Sequence, residues 1–326
     1  MAGNELHVAV LGGGSVGVCL AAHFAVAGAR VTLLVRQSSL TAFDGQTLRV
    51  TGLLGDHTVP AGGITLCDAL RPSPDVLAAD MLILTTKAQD VEAALAPFAG
   101  AASCPPVLLL QNGMGSAEIA RRVLGPGVPV YSTAMMIGMV RGAPGELEVT
   151  AQASPINCGS LLGDDTTPLD RMLAVAEGGF VPMTHDPDIR ETIAFKLLFN
   201  CCMNPTGALT GQTYGELLEN PDSRALIVGL ADEALAAFAA AWDYRPAASG
   251  QDYVDGTLDP LIFPRGVKHR SSMLQDLQAG RTTEVDFLTG AIIRLAAEQG
   301  LPAPRHDSIL SLIRACEASG VLARAG

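Results

Sequence analysis

Leu6-His7-Val8-Ala9-Val10-Leu11 runs directly into Gly12-Gly13-Gly14-Ser15-Val16-Gly17, and a helical pattern over residues 15–27 follows. The first six residues read as a buried strand. In the G-x-G-x-x-G spacing, Gly12 permits a tight turn and Gly14 lets the backbone approach a pyrophosphate. Gly17 lets the helix lie close on the sheet, and the helix N-terminus faces the phosphates. Alone, such a motif is weak, because a glycine-rich structural turn satisfies it equally. Here strand, motif, helix, Gly28 as helix stop and a second strand over 31–35 arrive in order. That order favours dinucleotide binding.

The second strand ends at Arg36, nineteen positions after Gly17. An NAD enzyme usually places an acid there to hold the ribose 2′-hydroxyl. Leu34, Val35 and Gln37 supply none, and an arginine offers a permanently charged fork for a 2′-phosphate. NADP, as NADPH, is the expected cofactor. Further apolar runs at 81–85, 107–111 and 128–135 read as parallel strands covered on both faces. A patch at 146–150 and 156–160 is expected to extend the same sheet. Lys87 and Asn112, just past two strand ends, are candidate cofactor contacts, because open parallel sheets bind ligands at that edge.

From about residue 187 the strand signals stop and long helical patterns at 188–204, 220–242 and 283–299 take over. The expected fold is α/β: an N-terminal Rossmann-type doubly wound sheet over residues 1–186, then a mainly α-helical domain over 187–326. The length of 326 residues, with 48% apolar and 17% charged, suits two domains with real cores. A net charge of −12 argues against a nucleic-acid partner. A mean hydropathy of +0.32 raises the membrane question. The greasiest stretch, 225–242, answers it by carrying Asp232 and Glu233, so no membrane span is expected. No basic segment precedes the first strand, as a signal peptide would require. The seven cysteines lack C-x-x-C spacing and the six histidines are isolated. No metal is expected, and reduced thiols fit a cytoplasmic protein.

The chemistry is carried by residues 194–205, where only Lys196, Asn200 and Asn204 interrupt an apolar stretch. Their i, i+4, i+8 spacing makes one stripe, with members about 6 Å apart. A solvent face is wider and more charged. This narrow line resembles the polar wall of a pocket, although a solvated stripe remains the plain alternative. Pro205 predicts a kink or stop beneath it. Ser271 and Ser272 precede another apolar run and suit a helix cap as well as a ligand. Glu284 falls in the first turn of the expected 283–299 helix, where a carboxylate is favoured on structural grounds alone.

Taken together, residues 10–17, Lys87, 112–115, Lys196-x-x-x-Asn200-x-x-x-Asn204-Pro205, 271–276 and 283–286 resemble the ketopantoate reductase family over nearly the whole chain. The resemblance implies a Rossmann domain followed by a helical domain, with the active site in the cleft between them. The implied activity is NADPH-dependent reduction of 2-dehydropantoate to (R)-pantoate, a step toward pantothenate and coenzyme A. Carried across by position, Gly12, Gly13, Gly14, Ser15, Val16, Gly17, Arg36, Lys87 and Asn112 would hold NADPH. Glu284 would lie near its nicotinamide. Lys196 would donate the proton, and Asn200, Asn204 and Ser272 would bind the substrate. Family members can carry another asparagine before the Gly-Glu-Leu that is here 215–217, and this chain has Tyr214. That change keeps open another small branched 2-keto acid as substrate. A non-catalytic NADP-binding sensor is the alternative of a different class. The sequence leaves monomer and homodimer both open.

Overall fold

The computed structural model describes residues 5–264 and 266–322. They form two compact units, one of residues 5–111 with 116–192, the other of residues 112–115 with 193–264 and 266–322. The division falls within the helix Ile189–Thr210, a few residues past the boundary expected after residue 186.

The strands of the first unit, in chain order, are β1 (His7–Leu11), β2 (Arg30–Val35), β3 (Leu48–Gly52), β4 (His57–Val59), β5 (Thr65–Asp68) and β6 (Met81–Leu84). They continue with β7 (Val107–Leu109), β8 (Val130–Ala134), β9 (Ile137–Arg141), β10 (Glu146–Gln152), β11 (Ile156–Gly159) and β12 (Met183–His185). Eight of them form one sheet in the order β12-β11-β8-β7-β6-β1-β2-β5. Every pair in it is parallel except β11 with β8. From β1 the chain moves outward through β2 to β5, then crosses back to β6 on the other side. The strand order therefore reverses at β1, where the glycine loop begins, and such a reversal opens a crevice for ligands. Each residue of β1 is buried, as helices on both faces require.

β10 departs from the sequence reading. It joins a separate four-stranded sheet, β4-β3-β10-β9, and only β11 extends the main one. The cause is visible in its alternation: Leu147 and Val149 are buried while Glu146, Glu148 and Thr150 are exposed, the pattern of a sheet with one wet face. Its buried side shares a core with Val18, Cys19 and Phe24 of the helix Ser15–Val26.

The helix Ile189–Thr210 continues through Pro205, so of the kink or stop expected there the stop does not occur. Side chains stitch the backbone there: Thr206 Oγ donates to the Cys202 carbonyl (2.7 Å) and Thr210 Oγ to that of Thr206 (2.8 Å). The expected helix over 283–299 is also shorter. A 3₁₀ turn, Val285–Phe287, precedes the helix Thr289–Glu298, so Glu284 lies before the turn and outside any α-helix. The apolar spacing misled because Val285 and Leu288 are buried from irregular backbone.

The helix Pro221–Trp242 is long and apolar enough, by length and composition, to cross a membrane. Its Ile227, Leu230, Ala234 and Phe238 are instead packed in the core of the second unit. Asp232 and Glu233, near its middle, each cap another helix. Asp232 Oδ1 accepts from Gly250 N (2.6 Å), at the start of Gly250–Tyr253. Glu233 accepts from Arg305 N (3.0 Å), His306 N (3.1 Å) and His306 Nδ1 (3.0 Å). It thereby caps Pro304–Ser319, whose own N-cap, Ala303, offers no side-chain acceptor. Burial opposes ionisation of Glu233, yet these donors outweigh it and hold the carboxyl below its ordinary range. Its stabilisation is therefore present above the ordinary glutamate pKa and lost as pH falls through the lowered one. Glu233→Ala strands three donors, and a loss of about 2–3 kcal/mol at neutral pH is expected. Urea unfolding of both proteins at neutral and acid pH checks this, and the gap should close in acid. An equal gap at both pH values would remove the ionised cap.

Candidate active site

In the first unit each glycine of the loop has its own reason. Gly12 adopts φ +127°, and its N–H donates to Leu34 O (2.9 Å). Thr85 Oγ1, just past β6, donates to Leu11 O (3.1 Å) and Gly12 O (3.2 Å), pinning the turn to the next strand. A Cβ on Gly17 would stand 1.8 Å from Gly12 O, so only glycine lets the helix close on the loop. A Cβ on Gly13 would press on Val35. At Gly14 the same construction meets nothing within 4 Å: the position faces open space. Gly14 is also the N-cap of Ser15–Val26 and gives no side-chain cap, so the first-turn N–H groups, beside half-buried Ser15 and Val16, are left for an anion.

Other polar groups gather at the same sheet edge. Arg36 follows β2, is exposed, and its guanidinium makes no hydrogen bond or ion pair among the described residues. Lys87 is half-buried at the start of the 3₁₀ turn Ala88–Asp90. Gln111, read from sequence only as a strand end, donates through Nε2 to Leu84 O (3.0 Å) and Thr86 O (2.8 Å). Its Oε1 and the Thr86 hydroxyl are buried without a partner among the described residues. Orphaned polar atoms, an open cradle at Gly14 and an uncapped helix N-terminus together fit a dinucleotide.

In the second unit, the Lys196 ammonium donates to Asn112 Oδ1 (2.7 Å), and Asn112 Nδ2 donates to Glu284 Oε2 (3.0 Å). One amide thus joins a cation to a carboxylate, which fixes which way the amide faces. The turn carrying Asn112 is held by Met114 N donating to Phe287 O (3.0 Å). Gly113, at φ +82°, passes so close that a Cβ would lie 2.0 Å from the same oxygen. Burial lowers the Lys196 pKa to about 8, and the Glu284 charge works against that fall. A lysine near neutrality in pKa can lose and regain a proton during a reaction.

One and two turns along the same helix, Asn200 and Asn204 are buried, not solvated. Asn204 Nδ2 donates to Asn200 Oδ1 (3.2 Å), and Tyr214 Oη donates to Asn204 Oδ1 (2.8 Å). Ser271 is the cap of Ser272–Gln278, accepting from Leu274 N (3.1 Å) and donating to Asn204 O (3.1 Å). Ser272, the candidate ligand, is the exposed first residue of that helix. Ser271 is the helix cap that the sequence offered; sequence reasoning missed its bond to Asn204 and the roles of Gln111 and Thr85, and it did not join Tyr214 to Asn204.

The family profile described as ketopantoate reductase PanE/ApbA matches residues 8–163, and its C-terminal counterpart matches 188–317. The 2-dehydropantoate 2-reductase of Aquifex aeolicus is 28% identical over 313 residues, covering 94% of this chain and 96% of that protein. The one from Vibrio cholerae is 29% identical over 321 residues, covering 96% and 99%. Among solved structures, a PanE/ApbA family ketopantoate reductase from Ralstonia eutropha superposes with a TM-score of 0.82 at 24% identity, covering 97% of this chain and 99% of that one. D-mandelate dehydrogenase, solved with NADH and anilino(oxo)acetate, also gives 0.82, at 20% identity and the same coverage. These two likenesses speak for the fold alone. Two profiles in chain order over both units, and relatives matched over nearly their full length, place the chain among oxidoreductases: it belongs to the ketopantoate reductase family.

Proposed function

We propose that the protein reduces 2-dehydropantoate to (R)-pantoate with NADPH, a step toward pantothenate and coenzyme A. The observation that carries this reading is the Lys196–Asn112–Glu284 chain at the head of the polar stripe. Bound NADPH supplies the hydride for the keto carbon. Lys196 gives its proton to the keto oxygen, leaving a neutral amine that water recharges, and the hydroxy acid results. Asn112 holds the ammonium in place, and the Glu284 charge favours its charged form. Asn200, Asn204 and Ser272 hold the substrate's polar groups. The nucleotide is assigned to the loop Gly12–Gly17 with Lys87, and the 2′-phosphate to Arg36.

Arg36→Ala is expected to weaken NADPH binding about tenfold or more, the worth of a charge-assisted hydrogen bond of roughly 1.5–3 kcal/mol. NADH binding should change little. Fluorescence titration with both nucleotides checks this, and unchanged discrimination would take Arg36 out of the site.

The function itself is tested by mixing purified protein with NADPH or NADH and a panel of small 2-keto acids, and following loss of reduced nicotinamide. Turnover of 2-dehydropantoate above the rest supports the proposal. Tyr214 favours a second reading, another branched 2-keto acid as the preferred substrate, and a different best member of the panel would establish it. Nucleotide binding without turnover of any acid would indicate a sensor.

A further inference from the structure

At the far end of the stripe, the Tyr214 phenol is buried and its ring meets Phe199 edge-on, with centroids 5.4 Å apart. It lies 5.0 Å from the His269 ring, and burial pushes its pKa up, so the hydroxyl keeps its proton. That proton goes to Asn204 Oδ1. With its oxygen turned to Tyr214, Asn204 presents its N–H groups the other way, and one goes to Asn200 Oδ1. The same constraint then passes to Asn200. Its carbonyl is occupied, and its Nδ2 has no hydrogen-bond partner among the described residues, although the side chain is more than nine-tenths buried. Three side chains in series all donate in one direction, and the unused donors collect one helical turn from Lys196.

We propose that Tyr214 is a positioning residue that sets the facing of the Asn204 and Asn200 amides, so that the stripe offers N–H donors to the carboxylate of a 2-keto acid. The proposal rests on the reading that this stripe binds the keto acid.

The test compares a 2-keto acid with its primary 2-keto amide, which keeps the reacting carbonyl but replaces an acceptor-only anion by a neutral group that donates. Calorimetric dissociation constants are measured beside KM and kcat. The wild type should favour the acid strongly. Tyr214→Phe removes only the hydroxyl and frees the Asn204 amide to turn. The acid should then bind about three- to tenfold more weakly, the worth of one neutral hydrogen bond, with KM rising more than kcat falls and the acid-to-amide preference shrinking. Asn204→Asp is the second variant. It is nearly isosteric and can accept from Tyr214, but it cannot donate to Asn200, so Asn200 must turn its N–H inward and its carbonyl out. Acid binding should fall at least about thirtyfold and the preference should approach or cross unity. A wild-type preference that survives in both folded variants would overturn the role of Tyr214 while leaving the function intact. A wild type that turns over no keto acid would overturn the function, and this inference with it.

Discussion

Lys196→Ala is expected to lose at least about a hundredfold in turnover, because general acid catalysis is typically worth about 10²–10⁴-fold. Hydride arriving at the keto carbon leaves negative charge on oxygen, and in the proposed function Lys196 is the cation that neutralises it by transfer. Nucleotide affinity should hold, since the glycine loop and Arg36 lie in the other unit. Lys196→Arg should not rescue turnover: a guanidinium holds its proton too tightly to give it up. Asn112→Leu should cost less than Lys196→Ala, because it removes the group that orients the ammonium and leaves the acid itself. Steady-state kinetics with fluorescence titration of NADPH distinguishes these outcomes. Near-normal turnover in Lys196→Ala would move the proton donor elsewhere, with Glu284 the next residue to test.

A second large effect is expected from a single methyl group. In Gly17→Ala the new Cβ would stand 1.8 Å from the Gly12 carbonyl and 2.8 Å from Thr85 Oγ1, so the helix must leave the loop. Overpacking of this kind costs about 3 kcal/mol, which would weaken NADPH binding about a hundredfold if it falls on the bound form. The melting temperature should fall too, because the same contact is part of the fold. Gly14→Ala separates the two effects. Its Cβ meets nothing within 4 Å, so stability should hold, yet the methyl occupies the space assigned to the pyrophosphate and binding should still weaken. Thermal melts beside nucleotide titrations read both quantities. Normal NADPH binding in Gly14→Ala would take the pyrophosphate away from this loop.

The parts of the molecule legible in the sequence were those governed by local rules. A glycine needed for close approach, as at Gly12 and Gly17, leaves its mark at the position itself. The continuous apolar runs of β1, β2 and β6 announce strands buried on both faces, and the spacing of Lys196, Asn200 and Asn204 puts three polar groups on one line. What stayed hidden depends on distant neighbours. Asn112 meets Lys196 across 84 residues and Glu284 across 172, and no periodicity carries that information. β10 could have been assigned to another sheet, since its strict alternation differs from the unbroken run of a covered parallel strand. Pro205 misled for the opposite reason: local preference argued for a kink or stop, and the helix, with Cys201, Cys202, Met203 and Ala208 packed in the core, continues past it.

The dependence of turnover on pH bears most directly on Lys196 as the proton donor. Burial, against the Glu284 charge, lowers its pKa to about 8. On the proposed mechanism keto acid reduction needs the ammonium, so its rate should fall as pH rises through that value. Oxidation of the hydroxy acid needs the neutral amine to receive the proton, so its rate should rise over the same range. In Lys196→Ala both slopes should vanish from the residual activity. A reduction rate that is level through pH 8 in the wild type, or the same break persisting in Lys196→Ala, would contradict the assignment.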